Sequence, residues 1–288
     1  MNTMTVKMIV TDMDGTFLNN DHSFNKNLFS YAFALMRARG IKFVLASGSS
    51  YPRLRRDFYE YKDHLTFISQ NGSVTHIGNR LIDYIPLTPH DLNTLLFVLH
   101  RTSLTDHIDQ LVVSGVHGSY VDASMSDQDF NRMKIFYEKI TRVPSLLNVF
   151  QTFPDEIFTK ITICFSHDLS LKDIHSKLDN HLPANLLMEN SGYNCELIGN
   201  ALATKRNAIQ TLQTIYEIND PNDIVTFGDN ENDLGMLAMT KNSFAMRNAA
   251  DHIKLQAHNT TQLDNNDDGV LETIMNILDM KLPLQIAQ

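Results

Sequence analysis

The chain reads as α/β: a doubly wound parallel sheet split by an inserted α+β unit. Three observations predict this. Buried strand-like runs alternate with helical periods in the opening third, the rhythm changes near residue 85, and it resumes after residue 198. A length of 288 residues suits roughly two domains at about 150 residues each. The simplest division is a core of residues 1–84 and 198–288, with 85–197 inserted.

Val6 to Val10 is apolar and β-rich, and Thr11-Asp-Met-Asp-Gly-Thr16 breaks it. Leu28, Tyr31, Phe33, Leu35 and Met36 give a helical period over Asn25 to Arg39, with Gly40 placed as a terminating glycine. Ile41 to Ala46 is a second strand, followed by Ser47-Gly-Ser-Ser50. Pro52 suits the first turn of a helix running to about Tyr61, and Leu65 to Ser69 is a third strand closed by Asn71-Gly72. Such a βαβαβ order implies parallel strands with crossover helices.

Gly78-Asn79 between Val74 to Ile77 and Arg80 to Tyr84 signals a hairpin. A helix then runs to about Arg101. Beyond it, strands are expected at Leu111 to Val116, Tyr120-Val121, Ile157 to Phe165, Leu186 to Glu189 and Tyr193 to Ile198, with helices at Asp127 to Ile140 and Leu169 to Leu182. Half-polar strands of this kind suit a sheet covered on one side. The core rhythm returns with a helix at Thr204 to Ile218, a strand at Ile224 to Phe227, the loop Gly228-Asp-Asn-Glu-Asn-Asp233, and a strand at Ser243 to Met246.

Composition excludes several classes. A 43% hydrophobic content is too high for a disordered chain. With 24 Lys and Arg against 33 Asp and Glu the net charge is −9, which disfavours nucleic acid as a partner. No apolar stretch approaches the ~20 residues of a membrane span, and Met1 to Val10 has no secretory pattern, so the expected location is cytoplasmic. Cys164 and Cys195 form no C-x-x-C pair and are expected to be reduced core residues.

The chemistry-bearing residues cluster at strand ends. Asp12 and Asp14 follow the first strand, at the edge where open α/β sheets bind ligands. A solvated Asp-Gly turn would explain them alone, but not the second acidic pair, Asp229 and Asp233, after another buried strand. Carboxylates brought together repel unless a cation compensates, and an all-oxygen ligand set suits Mg²⁺. Ser47 and Gly48 offer a hydroxyl and backbone N–H groups to phosphate oxygens, and Lys205 opens a helix with a positive charge. Arg53, Arg55 and Arg56 read as solvated charge. The 12 histidines show no metal-ligating spacing, and the 13 methionines read as core filler.

Asp12-Met-Asp-Gly-Thr-Phe-Leu18 resembles the D-x-D-G-T-x-L signature of the haloacid dehalogenase (HAD) superfamily. Ser47, Lys205 and Gly228 to Asp233 match its later motifs in order. The insertion resembles the α/β cap of the Cof-type, subclass IIB, sugar-phosphate phosphatases. Asn71-Gly72, Met246-Arg-Asn-Ala249 and Asp268-Gly-Val270 resemble further pieces of that pattern. The resemblance implies a Rossmann-like HAD core and a Mg²⁺-dependent phosphatase acting on small phosphorylated metabolites. It implies Asp12 as nucleophile and Asp14 as general acid and base. Asp12, the Asp14 carbonyl, Asp229 and Asp233 would serve the metal, and the Met13 N–H, Ser47, Gly48, Lys205 and Asn232 the phosphoryl group. The Thr-Gly-Arg common at the second motif is Ser47-Gly48-Ser49 here, which keeps the hydroxyl and drops an arginine available for contact with substrate or cap. A phosphotransferase, a sugar phosphomutase and a non-catalytic phosphometabolite binder share these motifs. Oligomeric state and the cap residues that choose the substrate are not readable from the chain.

Overall fold

The computed structural model describes residues 5–178, 180–190 and 194–278. Its larger sheet has eight strands in the order β14-β13-β12-β1-β2-β3-β4-β5. These are β1 (Met8–Thr11), β2 (Lys42–Ala46), β3 (Thr66–Ser69), β4 (Val74–Ile77), β5 (Arg80–Tyr84), β12 (Ile224–Gly228), β13 (Ser243–Ala245) and β14 (Asn259–Thr260). Strands β1, β2, β3, β12, β13 and β14 run parallel, and β3, β4 and β5 form an antiparallel meander.

Alternation along the strands divides the core between two faces. Ile9, Phe43 and Leu45 pack on one side with Phe29, Phe33 and Met36 of the helix Lys26–Ala38 and with Ile274 of the helix Gly269–Ile277. Met8, Val10, Val44 and Ala46 pack on the other with Ala208, Ile209 and Leu212 of the helix Lys205–Ile215. Helices on both faces explain why β1 and β12 are buried at every residue, as parallel strands usually are. From β1 the strand order proceeds to β2 and β3 on one side and to β12 and β13 on the other. This reversal opens a crevice beyond the C-terminal end of β1.

The second sheet has the order β10-β11-β9-β6-β7-β8. It comprises β6 (Ile108–Gly115), β7 (Ser119–Asp122), β8 (Ile140–Val143), β9 (Phe158–Phe165), β10 (Leu186–Asn190) and β11 (Cys195–Asn200). Its main apolar face carries Val113, Phe158, Ile161 and Ile163 against Leu92, Leu95 and Leu99 of the helix Pro89–Arg101. The second sheet meets the loop after β3 where Thr159 Oγ1 donates to Gln70 Oε1 at 2.5 Å, and the connecting segment is held to it by Leu87 N–H, which donates to Phe158 O at 2.7 Å.

Three expectations are corrected. The helix expected over Asp127 to Ile140 ends at Met133, and Ile140–Val143 forms β8 parallel to β7, where its backbone gains sheet hydrogen bonds. The helix after Pro52 ends at Asp57. Cys164 and Cys195 are neither reduced nor in the core: β9 and β11 run antiparallel with these two residues opposite each other, both are part-exposed, and they form a disulfide. Residue 193, the expected start of the last cap strand, lies outside the described residues. Among the described residues no helix is long and apolar enough to cross a membrane.

Candidate active site

Four strand ends deliver the site. Asp12 follows β1, Ser47 follows β2, Asn71 follows β3 and Asp229 follows β12, all at one edge of the sheet. Lys205 comes from the first residue of its helix, capped by Thr204, whose side chain accepts from Asn207 N–H. A lysine in a first helical turn faces the positive end of the helix dipole, an arrangement that needs compensating anions nearby. Asp12 and Asp233 supply them. Lys205 Nζ donates to Asp12 Oδ1 and, at 2.7 Å, to Asp233 Oδ1, with the lysine only 1% exposed.

Asp233 is fully buried, and both its oxygens are engaged. Oδ1 takes Lys205, while Oδ2 accepts the Asp229 N–H at 3.0 Å and the Asn230 N–H at 3.1 Å. It therefore folds the 228–233 loop and orients Lys205. Thr16 Oγ1 donates to Asp229 Oδ1 at 2.5 Å, and Asn248 Nδ2 donates to Gly15 O at 2.8 Å, tying the first loop to the fourth. Glycine is required at 15: its φ is +78°, and a Cβ there would lie 2.6 Å from Asp229 Oδ2. Gly72 makes the other close approach, since at φ +103° a Cβ would lie 2.3 Å from the Thr204 carbonyl. That contact seats the loop after β3 directly on the start of the Lys205 helix.

Oxygens of Asp12, Asp229 and Asp233 lie within 4.8 Å of one another. Among the described residues, neither Asp12 Oδ2 nor Asp229 Oδ2 accepts a hydrogen bond. An all-oxygen donor set with one lysine against three carboxylates fits a hard divalent cation. Burial pushes Asp12 well above the usual carboxylate range, and Lys205 offsets this only in part because Asp233 and Asp229 repel the charge. Burial likewise pushes Asp229 up to about 6, with the Thr16 hydrogen bond opposing and Asp233 adding to the rise. Burial alone would lower Lys205, but the two carboxylates hold it above its ordinary value.

A pH dependence follows. A carboxyl whose folded pKa is raised from 3.8 to about 6 keeps its proton in the fold, so its contribution to stability is lost as pH rises through that window. Bound cation takes the proton's place. The gap in melting temperature between cation-loaded and EDTA-treated protein should widen between pH 4 and 6, by on the order of 5 °C. Differential scanning calorimetry at several pH values reads it, and a constant gap would contradict the assignment.

The expected residues do not all converge. Asp14 stands apart from the buried carboxylates: its side chain is 49% exposed, and Oδ1 meets His22 Nδ1 at 3.0 Å. Ser47 is buried and its Oγ accepts the Ser49 N–H at 3.0 Å, while its carbonyl accepts the Asn71 N–H at 2.9 Å. Gly48 lies beside Asn71 Oδ1, and Asn232 Nδ2 donates to that same oxygen at 3.2 Å. Met13 is buried, and among the described residues its N–H has no acceptor. Thr16, Asn71 and Asn248 were legible only as motif fragments; the structure makes each a bracing contact of the site. Asn71 also reaches the second sheet, donating to Glu189 Oε2 at 2.6 Å.

Carboxylates gathered where a doubly wound sheet reverses, balanced by one lysine beneath an inserted sheet, mark a capped α/β enzyme of the phosphoric monoester hydrolase class. The haloacid dehalogenase-like hydrolase family model matches residues 9–274, and the chain belongs to that family, in its Cof-type branch. It is 27% identical over 280 residues to the Escherichia coli (strain K12) 5-amino-6-(5-phospho-D-ribitylamino)uracil phosphatase YbjI, covering 97% of this chain and 99% of the relative. Identity to the putative phosphatase YxeH of Bacillus subtilis (strain 168) is 25%, covering 94% and 98%. Among solved structures, SMU.1108c from Streptococcus mutans UA159 superposes with a TM-score of 0.82 at 28% identity, covering 95% and 99%. The HAD subclass IIB sugar phosphatase BT4131 shares the fold at a TM-score of 0.74 and 17% identity, covering 95% and 99%.

Proposed function

We propose that the chain is a Mg²⁺-dependent phosphatase that hydrolyses phosphomonoesters of small metabolites, sugar phosphates above all, through an aspartyl-phosphate. The observation that carries this reading is Lys205 lodged between Asp12 and Asp233 with Asp229 alongside. The E. coli relative named for a phosphoribitylamino compound, an ester on a polyol chain, supports the substrate class. In this reading residues 1–84 and 198–288 form the catalytic core and 85–197 the cap, with β11 carrying the cap sheet on to Asn200 before the chain re-enters the core.

A carboxylate oxygen of Asp12 attacks phosphorus in line, forming the acyl phosphate as the ester P–O bond breaks. Asp14 turns from His22 to give its proton to the departing alkoxide. It then takes a proton from the water that attacks the same phosphorus, releasing inorganic phosphate and restoring Asp12. The Met13 and Gly48 N–H groups, Ser47 Oγ, Lys205 Nζ and Asn232 Nδ2 hold the phosphoryl oxygens throughout. Mg²⁺, when bound by the Asp12 and Asp229 carboxylates and the Asp14 carbonyl, with Asp233 orienting its surroundings, supplies charge neutralisation to those oxygens. Cap closure excludes bulk water from the acyl phosphate.

Hydrolysis of p-nitrophenyl phosphate is expected to stop in EDTA and return when Mg²⁺ is restored. Activity that is indifferent to metal removal would count against the reading.

A further inference from the structure

We propose that Lys160 and Glu189 of the cap select the leaving group by binding the hydroxyls of a neutral, polyhydroxylated carbon chain. The proposal rests on the phosphatase reading above and deepens it by naming the selecting side chains.

Lys160 lies on β9 and is 4% exposed. Its neighbours Phe158, Ile161 and Ile163 belong to the apolar core of the cap. The side chain passes over Gly199, its cross-strand partner on β11, where a Cβ would lie 2.9 Å from Nζ. The missing side chain at 199 opens a path across one strand to the next. There, on β10, Glu189 Oε2 stands 3.5 Å from Nζ, with its side chain 16% exposed.

The pair sits at the core interface. Glu189 Oε2 also accepts from Asn71 Nδ2, and Asn71 in turn contacts Asn232, Gly48 and Ser47, three of the residues assigned to the phosphoryl group. A chain extending from the phosphate into the cap therefore passes one amide away from this pair.

Its hydrogen-bonding capacity is mostly unspent. Lysine has three N–H donors, and among the described residues Glu189 is the one partner of Nζ, while Glu189 Oε1 accepts none. A buried lysine paired with a half-buried carboxylate, each with hydrogen-bonding capacity to spare, favours further polar partners. One positive and one negative charge, side by side, sort ligands by chemistry. A second phosphate or a carboxylate meets Glu189, an ammonium group meets Lys160, and an apolar group strips both of water. A hydroxyl donates to the one and accepts from the other, so a run of hydroxyls satisfies both.

The competing explanation is a latch that holds cap to core through Asn71 and has no part in selection. Full-length, Mg²⁺-loaded Lys160→Met and Glu189→Gln separate the two, with Glu189→Gln retaining an acceptor for Asn71 should Lys160→Met fail to fold. The quantity read is the ratio of kcat/KM for sorbitol 6-phosphate or glucose 6-phosphate to that for p-nitrophenyl phosphate, whose leaving group carries no further hydroxyl. Losing a hydrogen bond to a charged partner predicts a fall in that ratio of about 10- to 100-fold. A fall below tenfold in the folded variants, or wild-type enzyme that turns over p-nitrophenyl phosphate but neither polyol ester, overturns the assignment. Wild-type enzyme inactive on p-nitrophenyl phosphate overturns the phosphatase reading itself.

Discussion

Asp12→Asn is expected to reduce turnover by at least about 10⁴-fold while leaving the fold intact. An amide lacks the oxygen that forms the acyl phosphate in the proposed reaction, and no neighbouring carboxylate replaces it: Asp233 has both oxygens engaged and Asp229 is tied to Thr16. Because burial already favours the neutral form of Asp12, the substitution should also raise the melting temperature of EDTA-treated protein. Activity lost with stability gained is a signature that general damage to the core does not produce. Residual turnover above 1% in a preparation free of wild-type enzyme would remove Asp12 from the nucleophile's role.

Lys205→Met carries the second large effect, and it runs the other way in stability. Removing the buried ammonium leaves Asp12 and Asp233 facing each other without a counter-charge, a change that costs about 3–5 kcal/mol when one partner of a buried pair is lost. Turnover should fall by about 10³-fold or more, since in the proposed reaction the same nitrogen neutralises the transferring phosphoryl group. Adding Mg²⁺ should restore part of the lost melting temperature and little of the activity. Metal answers the repulsion but does not replace a donor at that position. Full recovery of activity with metal would show that Lys205 serves the fold alone.

The core was legible because its signals are local. A buried strand ending in Asp-x-Asp-Gly, a second ending in Ser-Gly and a third ending in Gly-Asp lie at the same sheet edge whatever the rest of the chain does. Those motifs place Asp12, Ser47 and Asp229 together, and the helix that opens after the insertion adds Lys205. The cap was harder. Phe130, Met133 and Tyr137 sustain a helical spacing that continues past Met133, and only the pairing of Ile140–Val143 with β7 fixes the change to strand. The two cysteines are 31 residues apart, and their pairing depends on strand register, which hydrophobic pattern does not specify between these partners. Asp14 shows a different limit: the motif places it two residues from the acidic cluster's first member, and only the structure shows its carboxylate turned towards His22.

The position of β1 between β2 and β12 has a consequence for synthesis. Met8 pairs with Ile224, so the strand carrying Asp12 leaves the ribosome roughly 200 residues before its second neighbour exists. At about 5–20 residues per second this gap lasts about 10–40 s, and the last strand of the cap sheet, β11, is made near its end. Throughout that interval one edge of β1 is unpaired and Asp12 lacks Asp229, while Lys205 is made only shortly before Ile224. The nascent chain thus carries the carboxylate proposed as nucleophile without the full set of its partners, and the site is complete only when the final segment closes the sheet.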